Sequence, residues 1–425
     1  MILTVIITLI VFLALGVPVA FALGLSGLTA IILEGDIPLY MVVHQMVRGI
    51  NSFPLMACPM FILAGTIMGS AKLSDRIIDF CRTVVSWMRG GLGCVAVLAN
   101  MIFAGISGSG SATISAIGSL TTPELKKQGY HRSFIAGIMA GSGVLGPVIP
   151  PSTNMILYGA LTGVSIGKMF AGGIVPGILI GLGLMGMCVW YSKKYNVDTG
   201  TGKFSFRTCG KSFVHSFFAL ITPVIIIGGV LGGVFTATEA GIVACVYGLF
   251  CGLVIYRTIK LRDLPGIFVK AVNSSAMVLL IIATSTIYSY IFAVENVGPT
   301  LNNFLLSITT NPELLTILIV LLILVIGCFM ETLAAMAVIV PILYPIISTL
   351  GIDAVQFGVI FCVATVIGGI TPPVGTYLYL SMNIAGATFR EAIRYTAPCV
   401  GIMCIVMLIC LYVPQLITFL PSLMA

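Results

Sequence analysis

Charge is the first thing this sequence lacks. Asp, Glu, Lys and Arg make up 8% of its 425 residues, where soluble domains carry roughly 25%. With 59% apolar residues and a mean hydropathy of +1.17, a water-solvated globular domain is excluded and the chain is solvated by lipid. Histidine occurs three times, as His44, His131 and His215, each near the end of an apolar run. That leaves little for histidine-based catalysis. Cysteine is not rare, but pairing signals are absent. No C-x-x-C occurs among the twelve, and most stand singly in apolar runs, so they read as reduced, small hydrophobes and not as a disulfide or metal framework. The N-terminus, MILTVIITLIVFLALG, lacks a basic segment and a convincing cleavage site and reads as a retained span. The net charge of +7 lies in short loops between spans and requires no nucleic acid.

What is abundant is apolar sequence in long runs, such as Phe217 to Val234, Ile242 to Ile255 and Leu314 to Met330. Crossing a bilayer takes about 20 residues as a helix. Lipid-exposed backbone must be satisfied internally, by helices or a closed barrel. Runs this long and continuous are not barrel strands, so the expected fold class is an all-α polytopic membrane protein. Two phrases break the pattern: GPVIPPSTNMILYG from Gly146 and GGITPPVGTYLYLS from Gly368, whose Pro-Pro pairs stand 222 residues apart. FAGISGSGSATISAIGSL and IGCFMETLAAMAVIVPIL recur at nearly the same offset. Two structural repeats follow. The first covers 1–195, with a re-entrant hairpin at about 92–124 and a broken helix at about 133–165. A cytoplasmic linker covers 196–211. The second repeat covers 212–425, with a hairpin at about 312–349 and a broken helix at about 355–387. The first 33 residues are long for one span and short for two.

Charge placement orients the repeats. Basic residues flank the Ser-Gly segment on both sides, in KLSDRIIDFCRTVVSWMRGG and ELKKQGYHR. The stretch between Arg89 and Lys126 suffices for one tilted helix or two short ones at ~1.5 Å per residue. Like-sided basic flanks favour a hairpin opening to the cytoplasm. From Ala271 to Phe389 there is no Lys or Arg, and the flanks VENVGPTLNN and LGIDAVQ carry only acidic charge. A hairpin entering from outside fits that stretch, as inverted-topology repeats require.

A Pro-Pro pair removes two backbone donors and stops a helix. Irregular backbone at membrane depth persists where it is buried in protein or lines a cavity. The carbonyl ends of half-helices suit Na⁺ and the N–H ends suit an anion. GISGSGSAT, IPPSTN, GCFMET and GGITPPVGT are therefore four candidate polar tips. Close helix packing explains any one glycine among them as well as ligation does. It does not by itself explain the whole set. Glu331 is costly in an apolar run. It could bind a cation, carry a proton or cap the second half of its hairpin. Glu239 in FTATEAG reads as structural, with Thr236 or Thr238 capping the helix. No Arg or Lys lies in any tip, so an anionic substrate would rest on helix N-termini, hydroxyls and co-bound cations.

These segments, with FPLMACPMFILAGTIM, GGLGCVAVLANMIFAGISGSGSATISAIGSL and GCFMETLAAMAVIVPILYPI, resemble the large membrane subunit of TRAP transporters, the tripartite ATP-independent periplasmic (DctM-like) family, along essentially the whole chain. Cys58 in MACPMF departs from the bulkier aliphatic residue expected there. The resemblance implies an elevator-type carrier related to divalent-anion/sodium symporters, in a bacterial inner membrane. It implies Na⁺ as coupling ion, with no organic cofactor. It implies an organic acid delivered by a periplasmic substrate-binding protein, and a small four-helix membrane subunit as partner. Carried over by motif, candidate sodium-site residues are Ser107, Ser109, Ser111, Pro150 and Ser152 in the first half. In the second half they are Gly327, Glu331, Thr332, Gly368, Thr371 and Gly375. Asn154 and Thr376 are candidates for the substrate side. C4-dicarboxylates, sialic acids and sugar or keto acids all fit as substrates. The rival readings are a stand-alone cation-coupled symporter, a cation/proton antiporter using Glu331, and an intramembrane serine protease using the GISG at Gly105 to Gly108.

Overall fold

The computed structural model describes residues 1–200, 204–297, 299–301 and 312–424. Among them every regular element is helical. In chain order these are α1 (Ile2–Ala14), α2 (Val19–Glu34), α3 (Tyr40–Ile50), α4 (Ala57–Ser70), α5 (Leu73–Val85), α6 (Gly91–Ser107), α7 (Gly110–Lys127), α8 (Arg132–Gly143), α9 (Thr153–Thr162) and α10 (Ile166–Tyr195). Then come α11 (Phe206–Leu231), α12 (Ala237–Phe250), α13 (Leu264–Val294), α14 (Pro312–Gly327), α15 (Thr332–Thr349), α16 (Ala354–Ile370), α17 (Thr376–Ala385), α18 (Phe389–Tyr412) and α19 (Gln415–Ser422). Six helices among the described residues are long and apolar enough to cross a membrane, including α10, α11, α13 and α18. The chain is a multi-pass membrane protein.

Shorter apolar helices carry the interest. At ~1.5 Å per residue, the 17 residues of α6 reach less than a hydrocarbon core of ~30 Å. Such helices come in joined pairs, α6 with α7 and α14 with α15, and in interrupted spans, α8 with α9 and α16 with α17. Their starts match across the chain: Gly110 with Thr332, Arg132 with Ala354, Thr153 with Thr376 and Ile166 with Phe389, all 222 to 223 residues apart. Packing is reciprocal. α6 lies on α8 and α14 on α16, within each half, while α7 lies on α17 and α9 on α15, across the halves. One large core runs through both halves, and a smaller one, with Leu23, Ile31, Ile287 and Tyr288, joins α1 to α3 with α13.

At the N-terminus the chain forms two helices, broken before Pro18, where Gly16 takes φ +79°. The Met1 amine lies 3.3 Å from Glu34, so the two helices fold back on each other. The linker is shorter than 196–211. Residues 206–211 already belong to α11 because Ser205 caps it, accepting from the Thr208 N–H at 3.4 Å. Residues 201–203 of the linker, and 298 and 302–311 of the acidic flank, lie outside the described residues. What remains of the linker is fastened. Asp198 is buried, and its Oδ2 accepts from the Leu92 N–H at 2.7 Å and the Tyr130 hydroxyl at 2.9 Å. Its carbonyl accepts from the Gly90 N–H at 2.9 Å. A linker carboxylate thus caps the start of α6. Burial foremost, with the Cys188 thiol and the Asp198 carboxylate adding, pushes the Tyr130 phenol up, so it stays a donor. Glu239 closes a capping box with Thr236, and Thr236, not Thr238, is the cap.

Candidate functional site

The first tip is the turn between α6 and α7. Gly108 ends α6 at φ +60°, a left-handed turn that a side chain would strain. Ser109 is extended and opens α7. Ser107 is buried at the end of α6, its Oγ 2.8 Å from Thr113 Oγ1. The Ser109 carbonyl accepts from Thr113 Oγ1 at 2.8 Å, and Ser109 Oγ lies 3.2 Å from Ser111 Oγ. Ser111 is exposed. Beside the tip runs the α8–α9 break, where the Pro150–Pro151 peptide bond is cis and Pro150 is buried. Ser152 caps α9, donating to the Pro147 carbonyl at 2.6 Å and accepting from the Met155 N–H at 3.3 Å. Thr153 donates its N–H and hydroxyl to the Gly108 carbonyl, at 3.4 and 3.1 Å. Asn154 is buried, and its Nδ2 has no partner. A buried donor without an acceptor is what a ligand oxygen would satisfy.

The second tip joins α14 to α15. Gly327, buried, ends α14. Glu331 opens α15 but makes no cap hydrogen bond, and its Oε2 is buried without a partner. The carboxylate faces the Leu333 and Ala334 N–H groups of the first turn, so a capping role stands beside cation binding and proton carriage. Thr332 is buried, and its Oγ1 lies 3.3 Å from the Tyr377 hydroxyl. In the α16–α17 break, Thr371 donates its N–H to Gly368 and its hydroxyl to Ile367, at 2.9 and 2.7 Å. Pro372–Pro373 is cis, and Gly375 opens α17 at φ +50°. The Val374 N–H donates to the Cys328 carbonyl at 3.3 Å. Thr376, the first residue of α17, is exposed. The two substrate-side candidates thus differ, with Asn154 enclosed and Thr376 open.

In each half a break grips a tip through one glycine. A methyl built on Gly146 would lie 2.6 Å from the Ser109 carbonyl carbon, and one on Gly368 would lie 2.5 Å from that of Gly327. The Pro151 carbonyl oxygen occupies the space beside Gly108, 2.6 Å from where its Cβ would be. α4 bounds the first tip. A methyl on Gly65 would reach to 3.3 Å from Ser107 Cα, and Cys58 Sγ lies 4.0 Å from the Thr153 carbonyl. A small buried thiol suits that close approach better than a bulky aliphatic side chain. Gly146, Thr153 and Tyr377 were not singled out from the sequence. Only Gly146 carried a signal, its 222-residue spacing from Gly368. Among the described residues no cluster of three His, Cys, Asp or Glu could hold a metal. The atoms on offer are carbonyls, hydroxyls and one carboxylate, which are hard ligands suited to an alkali cation.

The chain is similar to known proteins. The chain is 40% identical over 408 residues to the isethionate TRAP transporter permease protein DctMQ of Oleidesulfovibrio alaskensis, covering 96% of this chain and 64% of that longer protein. It is 37% identical over 408 residues to the sialic acid TRAP transporter large permease protein SiaM of Vibrio cholerae, covering 96% and 95%. The crystal structure of the Alcanivorax borkumensis YdaH transporter, described as having an unusual topology, superposes with a TM-score of 0.58 at 16% identity, covering 91% of this chain and 87% of that one. The last is a likeness of fold alone. The family described as "Tripartite ATP-independent periplasmic transporter, DctM component" matches residues 6–416, and the chain belongs to it.

Proposed function

We propose that the chain is the large membrane subunit of a TRAP transporter that takes up an organic acid across a bacterial inner membrane, coupled to Na⁺. The carrying observation is the pair of tips free of Lys and Arg, each clasped by a Pro-Pro break of its own half. Carbonyl and amide ends of half-helices meet there without any Lys or Arg, so a cation and an anion are held by dipoles and by each other. The residues fit an alkali cation in both halves. Ser107, Ser109 and Ser111 with the carbonyl of Pro150 and the hydroxyl of Ser152 would serve the first. Gly327, Glu331, Thr332, Gly368, Thr371 and Gly375 would serve the second. Asn154 and Thr376 would face the acid. The two halves are read as inverted repeats. The last turn of α7 places Lys126 beside Gly386, four residues before Arg390, while Tyr158 of α9 reaches Ala354, next to Asp353. Basic and acidic ends thus separate as cytoplasmic and outer ends would.

On this reading α6–α9 and α14–α17 move as an elevator against the remaining spans. A small four-helix subunit braces the scaffold, and a periplasmic binding protein delivers an acid of the kind named for the relatives. A protease has no support here, since Ser107 pairs with Thr113, His131 with Ser133 and His215 with Arg76. The test is uptake into proteoliposomes holding this chain and its small subunit, with candidate acids and binding proteins, under a Na⁺ or a K⁺ gradient. Na⁺-driven uptake that requires a binding protein supports the reading. Uptake without one would make the chain a stand-alone symporter, and cation/proton exchange without acid would make it an antiporter.

A further inference from the structure

Tyr377 is the second residue of α17, and it is buried. Its ring is wedged between two glycines. A methyl on Gly110, at the first tip, would lie 3.0 Å from Cε1 and 3.2 Å from Cζ. A methyl on Gly369, in α16, would lie 2.7 Å from Cδ2 and 2.9 Å from Cε2. The hydroxyl lies 3.3 Å from Thr332 Oγ1, at the second tip. One side chain therefore touches the hairpin tip of each half and the break on which it is mounted. Each glycine lets the ring approach where any Cβ would push it away.

We infer that Tyr377 is a positioning residue that ties the second tip to the start of α7, so that a cation held at the second tip orders the amides that would face the anionic substrate. This rests on the proposed function and adds its internal linkage. A cation at the Gly327–Thr332 turn fixes Thr332. The hydroxyl bond then fixes the ring, and the ring, pressed on Gly110, fixes the first turn of α7. Two ligands that order one shared element bind cooperatively.

Tyr377→Phe keeps the ring between the glycines and removes the hydroxyl bond. Thr332→Val removes the same bond from the other side, together with a hydroxyl of the second cation site, so Tyr377→Phe is the variant that isolates the bond. The readout is deuterium exchange of the amides of residues 107–113 in the purified full chain, in NaCl against KCl at equal ionic strength. Wild-type exchange should slow about fivefold or more in Na⁺, the low end of measured coupling between sites. Each variant should lose part of that slowing, the remainder coming from a cation at the first tip itself, and the double variant should lose no more than the more affected single variant, because both break the same tie. Unchanged protection in Tyr377→Phe, strictly additive losses, or no Na⁺-dependent protection in the wild type would each overturn the tie. Wild-type protection lost in part in both variants, from a chain that drives no Na⁺-coupled uptake in proteoliposomes, would overturn the transport reading and leave the tie standing.

Discussion

Glu331 is a carboxylate in an apolar setting with one oxygen unpartnered. An unpaired buried polar group costs ~1–3 kcal/mol, more when charged, so it needs a function to persist. A bound Na⁺ would satisfy it. A ligand present at about 100 times its Kd stabilises the folded state by ~2.7 kcal/mol. Thermal unfolding of the wild type should therefore shift upward in Na⁺ against K⁺ at equal ionic strength. Glu331→Gln and Ser109→Ala should each lose part of that shift, ~1 kcal/mol or more. A full Na⁺ response in Glu331→Gln would remove the carboxylate from the cation site and favour a proton-carrying role. Single residues were unevenly legible. Glu331 stood out because a charge in an apolar run is expensive. Thr153 and Tyr377 did not, since their partners, Gly108 and Thr332, lie 45 residues away in each case, and such contacts leave no local pattern. Gly110 and Gly369 looked like any membrane-helix glycine until the ring between them was seen.

At the scale of elements, breaks were easier to read than ends. Pro150-Pro151 and Pro372-Pro373 had to stop a helix, because proline lacks the donor that helix continuation uses. The caps that set the other ends are local too, but weak in sequence. Ser205 is one serine among many, and its capping of α11 is why the linker stops short of 211. Asp198 was the least legible. It sits in a polar stretch that reads as a tether, yet it caps α6 from 106 residues away. Asp198→Ala would leave the Leu92 N–H and the Tyr130 hydroxyl buried without an acceptor, at ~1–3 kcal/mol each. A loss of ~2–5 kcal/mol in unfolding free energy is expected, and about half that or less for Asp198→Asn, which keeps an acceptor. The Na⁺-dependent shift should survive in both variants, because this contact lies at the base of the hairpin and not at its tip. A lost shift with stability unchanged would mean that the linker acts on the tip itself.

For the whole molecule, the 222-residue spacing of the two Pro-Pro phrases recurs in the helix starts, whereas the exchange of partners left no mark in the sequence. Nothing in the sequence says that α7 packs on α17 and α9 on α15. On the proposed function, that arrangement closes two half-sites around one point. It has a consequence for sidedness. α7 and α17 both start at the tips and end near Lys126 and Gly386, whereas α15 also starts at its tip but runs toward the region of Asp353. If the halves are inverted, Lys127 and Ser348 lie on opposite faces of the membrane, although each is near the far end of the second arm of its hairpin. Both are exposed, so each tolerates a cysteine. Nine of the native cysteines are buried, and Cys209, Cys328 and Cys404 are half-buried, so replacing those three by serine leaves a quiet background. Lys127→Cys should react with an impermeant maleimide in inside-out vesicles and not in intact cells, and Ser348→Cys should show the opposite. Labelling of both from one side would mean that the two hairpins enter from the same face. Their common spacing would then reflect a parallel duplication, with no reason for one acidic and one basic flank.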